Sequence, residues 1–116
     1  MFPKPNRLEL RSEIGRLKSR GKRTQGEMID LVVAPREESL SPRFACIVTK
    51  KIAKQATERN RVKRLLRAGT RALLKDIRGG SDVLIIAKAP AVGRGEKRVQ
   101  EELRRTLKKA GLIEET

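Results

Sequence analysis

Apolar residues recur along this chain at two spacings, one helical and one of short continuous runs. Leu8, Leu10, Ile14 and Leu17 give a short helical pattern. With Ser12 as N-cap and Glu13 in the first turn, the spacing predicts a helix over about 12–19, stopped by Gly21. The proline-bearing residues 1–11 read as an extended basic arm. Met28 to Ala34 and Arg43 to Thr49 are short β-branched runs and read as strands. The short loop between them is bracketed by Pro35 and Pro42, which suggests an antiparallel pair. Val62, Leu65, Leu66, Gly69, Leu73 and Ile77 fall on one face of a long helix, with Thr57 as N-cap and Gly79-Gly80 as a stop near Arg78. Asp82 to Lys88 is the most apolar run and reads as a buried strand. A last helix is expected from about Glu96 to Ala110, with Val99, Leu103, Leu107 and Ala110 inward and Gly111 ending it. The order α-β-β-α-β-α makes an α+β sandwich, helices packed on a small sheet.

Charge changes this picture most. The chain has 116 residues, the length of one domain, and carries a formal net charge of +15 with 37% hydrophobic residues. Such charge repels itself and weakens the compact state, so it implies a polyanionic partner, nucleic acid before an anionic membrane surface. No run approaches the roughly 18 apolar residues of a bilayer span. Met1 to Arg7 has no apolar core of the kind a signal peptide needs, so a cytoplasmic setting is expected. The chain has no His and a single Cys. That excludes an intrachain disulfide, His/Cys metal ligation and His-based acid–base catalysis. Cys46 reads as a small core residue, and Glu101, Glu102, Glu114 and Glu115 as surface carboxylates. No catalytic residue is expected.

The cations concentrate between Lys50 and Arg71. Lys50 and Lys51 stand at a strand end and Lys54 in the connection after it. Arg59, Arg61, Lys63, Arg64, Arg67 and Arg71 follow on the long helix, opposed only by Glu58. Cations about 5–6 Å apart on one helix face suit the phosphates of a nucleic-acid backbone. Without such a partner, Lys63–Arg67 and Arg67–Arg71 each cost ~0.2–0.5 kcal/mol as like charges one turn apart. A solvated face is the plainer reading. Solvated faces mix signs, however, as the last helix does with Glu101, Glu102, Arg104 and Arg105. Asn60 is either an ordinary surface residue or a donor and acceptor for a base edge or sugar hydroxyl. With two Phe and no Tyr or Trp, little base stacking is available. Contact must lean on phosphates, arginine planes and helix ends.

The stretch Arg59-Asn60-Arg61-Val62-Lys63-Arg64-Leu65-Leu66-Arg67, preceded by Val48-Thr49-Lys50-Lys51-Ile52-Ala53, resembles the signature of the bacterial ribonuclease P protein component family. Asn6-Arg7-Leu8 and Asp82 to Pro90 extend the likeness over nearly the whole chain. The resemblance implies an α-β-β-β-α-β-α two-layer α/β sandwich with a left-handed β-α-β crossover, like a ribosomal-protein domain. The additional strand would lie around Lys22 to Gly26. It also implies a ribonucleoprotein endonuclease that removes the 5′ leader of precursor tRNA, with a catalytic RNA subunit that binds the Mg²⁺ and no obligate protein partner. By the same likeness Lys50, Lys51, Arg59, Asn60, Arg61, Lys63, Arg64 and Arg67 would contact that RNA. A cleft between the sheet and the first helix would take the leader. The family's cleft often carries aromatic residues, whereas Ile14, Lys18 and the Met28 to Val33 run supply none. Phosphate contact or aliphatic packing would have to replace stacking.

Two other classes fit parts of this pattern. A structural ribosomal or ribosome-associated protein would share the sandwich and the charge. A DNA-binding regulator would lay the long helix in the major groove, but one Asn and no Gln on that helix leave little to read bases.

Overall fold

The computed structural model describes residues 2–37 and 40–114. Three helices and four strands follow one another as α1 (Leu10–Arg20), β1 (Lys22–Gln25), β2 (Ile29–Pro35), β3 (Arg43–Ile47), α2 (Ala56–Leu73), β4 (Ser81–Ala87) and α3 (Glu96–Lys109). This is the α-β-β-β-α-β-α order, and the additional strand lies at Lys22–Gln25.

The sheet order is β1-β2-β4-β3. β2 pairs antiparallel with β1 and β4, whereas β3 pairs parallel with β4, Arg43 facing Asp82. The expected antiparallel pair of β2 and β3 is therefore corrected: β4 separates them. The reason is apolar content on both faces. Val83, Ile85 and Ala87 enter the main core, while Leu84 and Ile86 pack on the opposite side, so β4 needs cover from both layers and takes a central place.

The main core lies between the sheet and α2 with α3. It joins Ile29, Leu31, Phe44, Val83 and Ile85 to Val62, Leu66 and Leu73 of α2 and Val99, Leu103 and Leu107 of α3. A smaller cluster of Leu8, Leu17, Ala34 and Leu84 fixes α1 to the other face.

Three helix boundaries differ from expectation. The first helix begins at Leu10 with Glu9 as N-cap, and the Ser12 hydroxyl donates to the Glu9 carbonyl instead of capping. The segment before it is no free arm. Phe2, Asn6 and Leu8 are buried, Lys4–Asn6 forms a 3-10 turn, and the Leu8 N–H donates to the Phe44 carbonyl. α2 starts after Gln55 and passes into a 3-10 turn at Leu74–Asp76, which frees Ile77 to bridge Ile113 beside the core.

Candidate nucleic-acid interface

Between β3 and α2 the chain turns tightly. The N–H groups of Ile52 and Ala53 both donate to the Thr49 carbonyl, and Ala53 is buried. That turn leaves Lys50, Lys51 and Lys54 exposed. Arg59 reaches back from the first turn of α2, and its guanidinium donates to the carbonyls of Ala53 at 3.0 Å and Lys54 at 2.8 Å. It therefore locks the connection onto the helix.

Beyond Arg59, α2 divides cleanly. Val62, Leu66, Gly69, Thr70 and Leu73 are buried against the sheet and α3, and the Thr70 hydroxyl is satisfied by the Leu66 carbonyl. Asn60, Arg61, Arg64 and Arg71 are exposed, with Lys63 and Arg67 half-buried at the margins. Asn60, Arg64, Arg67, Ala68 and Arg71 line one shallow depression of about 440 Å³. The helix thus gathers four of the residues singled out from the sequence in one place. Lys50, Lys51 and Lys54 stand apart from it on the preceding turn.

On α2 itself Glu58 is the one acid, and it lies in the first turn. Among the described residues, Arg16, Arg23, Arg36, Arg43, Arg78, Lys88, Arg98, Arg104 and Arg105 each lie within 4.0 Å of a carboxylate oxygen. None of the cations from Lys50 to Arg71 does. With Glu58 as its one acid and none of its cations paired among the described residues, α2 keeps a strongly positive field.

Cys46 sits beneath this face. Burial pushes its thiol up to about 12, against the opposing pull of Arg67 and Lys63, so it stays protonated.

The opposite face of the sheet carries a second concavity. Ile14, Leu17, Lys18 and Gly21 of α1 and its C-terminal end face Arg23, Val32, Leu84 and Ile86 across about 320 Å³. Its floor is aliphatic. Each end of the sheet face beneath α1 is anchored by a buried aspartate. At one end Asp82 accepts both Nε and Nη2 of Arg43, each at 2.7 Å, and is also paired with Arg16. Arg16 additionally bonds Glu13 and the Pro35 carbonyl, so this cluster holds α1 in place. The Glu13 carboxyl lies below its usual range because the Arg16 hydrogen bond outweighs its partial desolvation. At the other end Asp30 pairs with Arg23 at 2.7 Å and Lys88 at 3.3 Å. Burial works to raise the Asp30 pKa, but bonds from Arg23, Lys88 and the Gly26 N–H together hold it down.

Lys18, Arg23 and Lys88 were not legible as a group, because they come from a helix, an edge strand and a strand end far apart in the chain. The only signal was the pair of aspartates within strands, Asp30 and Asp82, which need cations when buried. Glu102, expected on the surface, is a correction: it is buried and accepts from the Met28 N–H and from Arg105, both at 2.7 Å. It lies three residues after Val99 and four before Thr106, on the inner face of α3.

A mixed four-stranded sheet with an open concavity on one face and an unpaired cationic helix on the other defines a small basic α+β domain built around two charged surfaces. The chain belongs to the ribonuclease P protein family, whose model, described as Ribonuclease P, matches residues 2–111. A ribonuclease P protein component from Microcystis aeruginosa is 32% identical over 115 residues, covering 97% of this chain and 96% of the relative. One from a Pseudanabaena strain is 29% identical over 113 residues, covering 97% of both. Among solved structures, the RNase P protein from Thermotoga maritima superposes with a TM-score of 0.80 at 26% identity, over 94% of this chain and 98% of that one. The Staphylococcus aureus protein shares the fold, with a TM-score of 0.81 at 22% identity over 94% and 98%.

Proposed function

We propose that this chain is the protein subunit of the ribonuclease P ribonucleoprotein, binding the catalytic RNA through the outward face of α2 and the turn before it. The observation that carries this reading is the row of cations on that face, none of them within 4.0 Å of a carboxylate oxygen among the described residues and with Glu58 the one acid on the helix. Lys50, Lys51, Lys54, Arg61, Lys63, Arg64, Arg67 and Arg71 would neutralise phosphates and release their counterions, and Asn60 would bond a base edge or sugar hydroxyl. The 5′ leader of precursor tRNA would lie in the cleft under α1. There Val32, Leu84 and Ile86 offer aliphatic contact in place of stacking, with Lys18 and Arg23 at the rim for phosphates.

Cleavage is assigned to the RNA subunit. Among the described residues no three His, Cys, Asp or Glu side chains come together to hold a metal ion. The Mg²⁺ of the reaction is proposed to be bound mainly by that RNA. The protein lowers the Mg²⁺ requirement by screening phosphate repulsion and by holding precursor tRNA through its leader. No helix of the described residues is long and apolar enough to cross a membrane, and the setting proposed is the cytoplasm, without an obligate protein partner.

Reconstitution tests this directly. The chain is added to a bacterial ribonuclease P RNA at Mg²⁺ too low for the RNA alone, and release of the leader is followed. Stimulated release, giving mature tRNA 5′ ends, is expected. No stimulation would overturn the assignment.

A further inference from the structure

A third concavity, of about 430 Å³, belongs to neither surface. It wraps around the outer edge of β3 and is lined by Phe2, Arg7, Leu8, Glu9, Leu10, Phe44, Ala45, Cys46 and Arg67. Leu8, Leu10 and Ala45 belong to the apolar cluster under α1, while Phe44 and Cys46 pack toward α2. Arg67 also lines the depression on α2. The concavity therefore joins the leader-side face of the sheet to the cationic helix.

Most of its polar groups are unspent among the described residues. Arg7 Nε donates to the Phe2 carbonyl, and its Nη groups have no partner among the described residues. Arg67 has none there either, nor does the Glu9 carboxylate. The β3 edge is open as well. The N-terminal segment pairs with it only where Arg7 bridges Phe44 and Leu8 donates to the Phe44 carbonyl, after which the chain leaves to enter α1. Strand alternation aims the N–H and carbonyl of Cys46 to that same outer side, where no described group meets them.

Two cations without a carboxylate partner, a free carboxylate, an open peptide and an aliphatic wall together suit one unstacked nucleotide. The cations fit its phosphate. The carboxylate is wrong for a phosphate but right for the amino group of a base, since it only accepts. We infer that this concavity is a nucleotide subsite for single-stranded RNA passing from the cleft over the β3 edge to α2. Arg7 and Arg67 hold the phosphate, and Glu9 accepts from a base amino group. Uracil lacks an exocyclic amino group, so the subsite disfavours it. This inference rests on the proposed RNA-binding function.

The test measures binding of fluorescently labelled oligo(A), oligo(C) and oligo(U), of equal length, to the full chain by anisotropy. The wild type should bind oligo(A) and oligo(C) roughly three- to tenfold more tightly than oligo(U), the range of one ordinary net hydrogen bond at a solvent-exposed site. Glu9→Ala should abolish that preference. Arg64→Ala, on α2, should weaken all three and keep the preference. Equal affinity for the three oligomers, or a preference that survives Glu9→Ala, would overturn the subsite while leaving RNA binding intact. Failure of every oligomer to bind would overturn both.

Discussion

Arg43 and Asp82 face each other across the parallel β3–β4 register and close a bidentate pair at 2.7 Å on both oxygens. Asp82 is fully buried, and Arg16 of α1 joins the same carboxylate. One side chain thus ties the parallel strand pair to the helix that roofs the cleft.

Asp82→Asn should cost about 3–5 kcal/mol, because Arg16, Arg36 and Arg43 would be left crowded around a neutral group. Urea denaturation checks this through a lowered midpoint at unchanged m-value. Loss of leader affinity with RNA-subunit affinity retained is expected in the folded fraction, since α1 loses its anchor and α2 does not.

Two glycines on or beside α1 should respond with opposite signs. At Gly21 a Cβ would clash with the Leu17 carbonyl oxygen and lie 2.5 Å from Val32 Cγ1, so Gly21→Ala should destabilise by ~1–3 kcal/mol. At Gly15, inside α1, a Cβ meets nothing within 4 Å, so Gly15→Ala should stabilise by ~0.5–1 kcal/mol. Thermal unfolding of the two variants separates the effects.

These positions show what could be read from the chain and what could not. The helices, the later strands and the split of α2 into apolar and cationic faces follow from local periodicity, which is a property of neighbours in sequence. Gly21 was legible as a stop, but the Val32 methyl that also forbids a Cβ there belongs to another strand. The pairing of β3 with β4 was hidden for the same reason: a short loop favours an antiparallel hairpin, and only the two-sided apolar content of β4 argued for a central place. In sequence Arg59 reads as one more phosphate-binding cation, because charge is visible there and the backbone carbonyls to which it also donates are not.

Glu102 should govern part of the acid stability. Burial raises its pKa, but the Met28 N–H and Arg105 outweigh it, and the carboxyl lies below its ordinary value. A depressed folded-state pKa stabilises above the unfolded value and loses that contribution as pH falls through the folded one. Stability should therefore fall below about pH 4.3, the unfolded glutamate value. Glu102→Gln should cost about 1–3 kcal/mol at neutral pH and flatten this acid limb. Denaturation midpoints across pH 3–6, a window set by that reference value, check both.

Arg59 and Arg64 should separate stability from binding. Arg59→Ala removes bonds to two carbonyls and should destabilise by ~1–2 kcal/mol. Arg64→Ala, exposed and unpaired, should stay within about 0.5 kcal/mol of the parent while losing RNA affinity.

The affinity of the chain for a ribonuclease P RNA as a function of salt tests the role of α2 most directly. Arg61→Ala and Arg64→Ala should each flatten the slope of log K against log salt by ~0.7–0.9, one phosphate's share, while Lys97→Ala on exposed α3 leaves it unchanged. Unchanged slopes for the two α2 variants, or an equal loss at Lys97, would contradict the assignment of the RNA interface to α2.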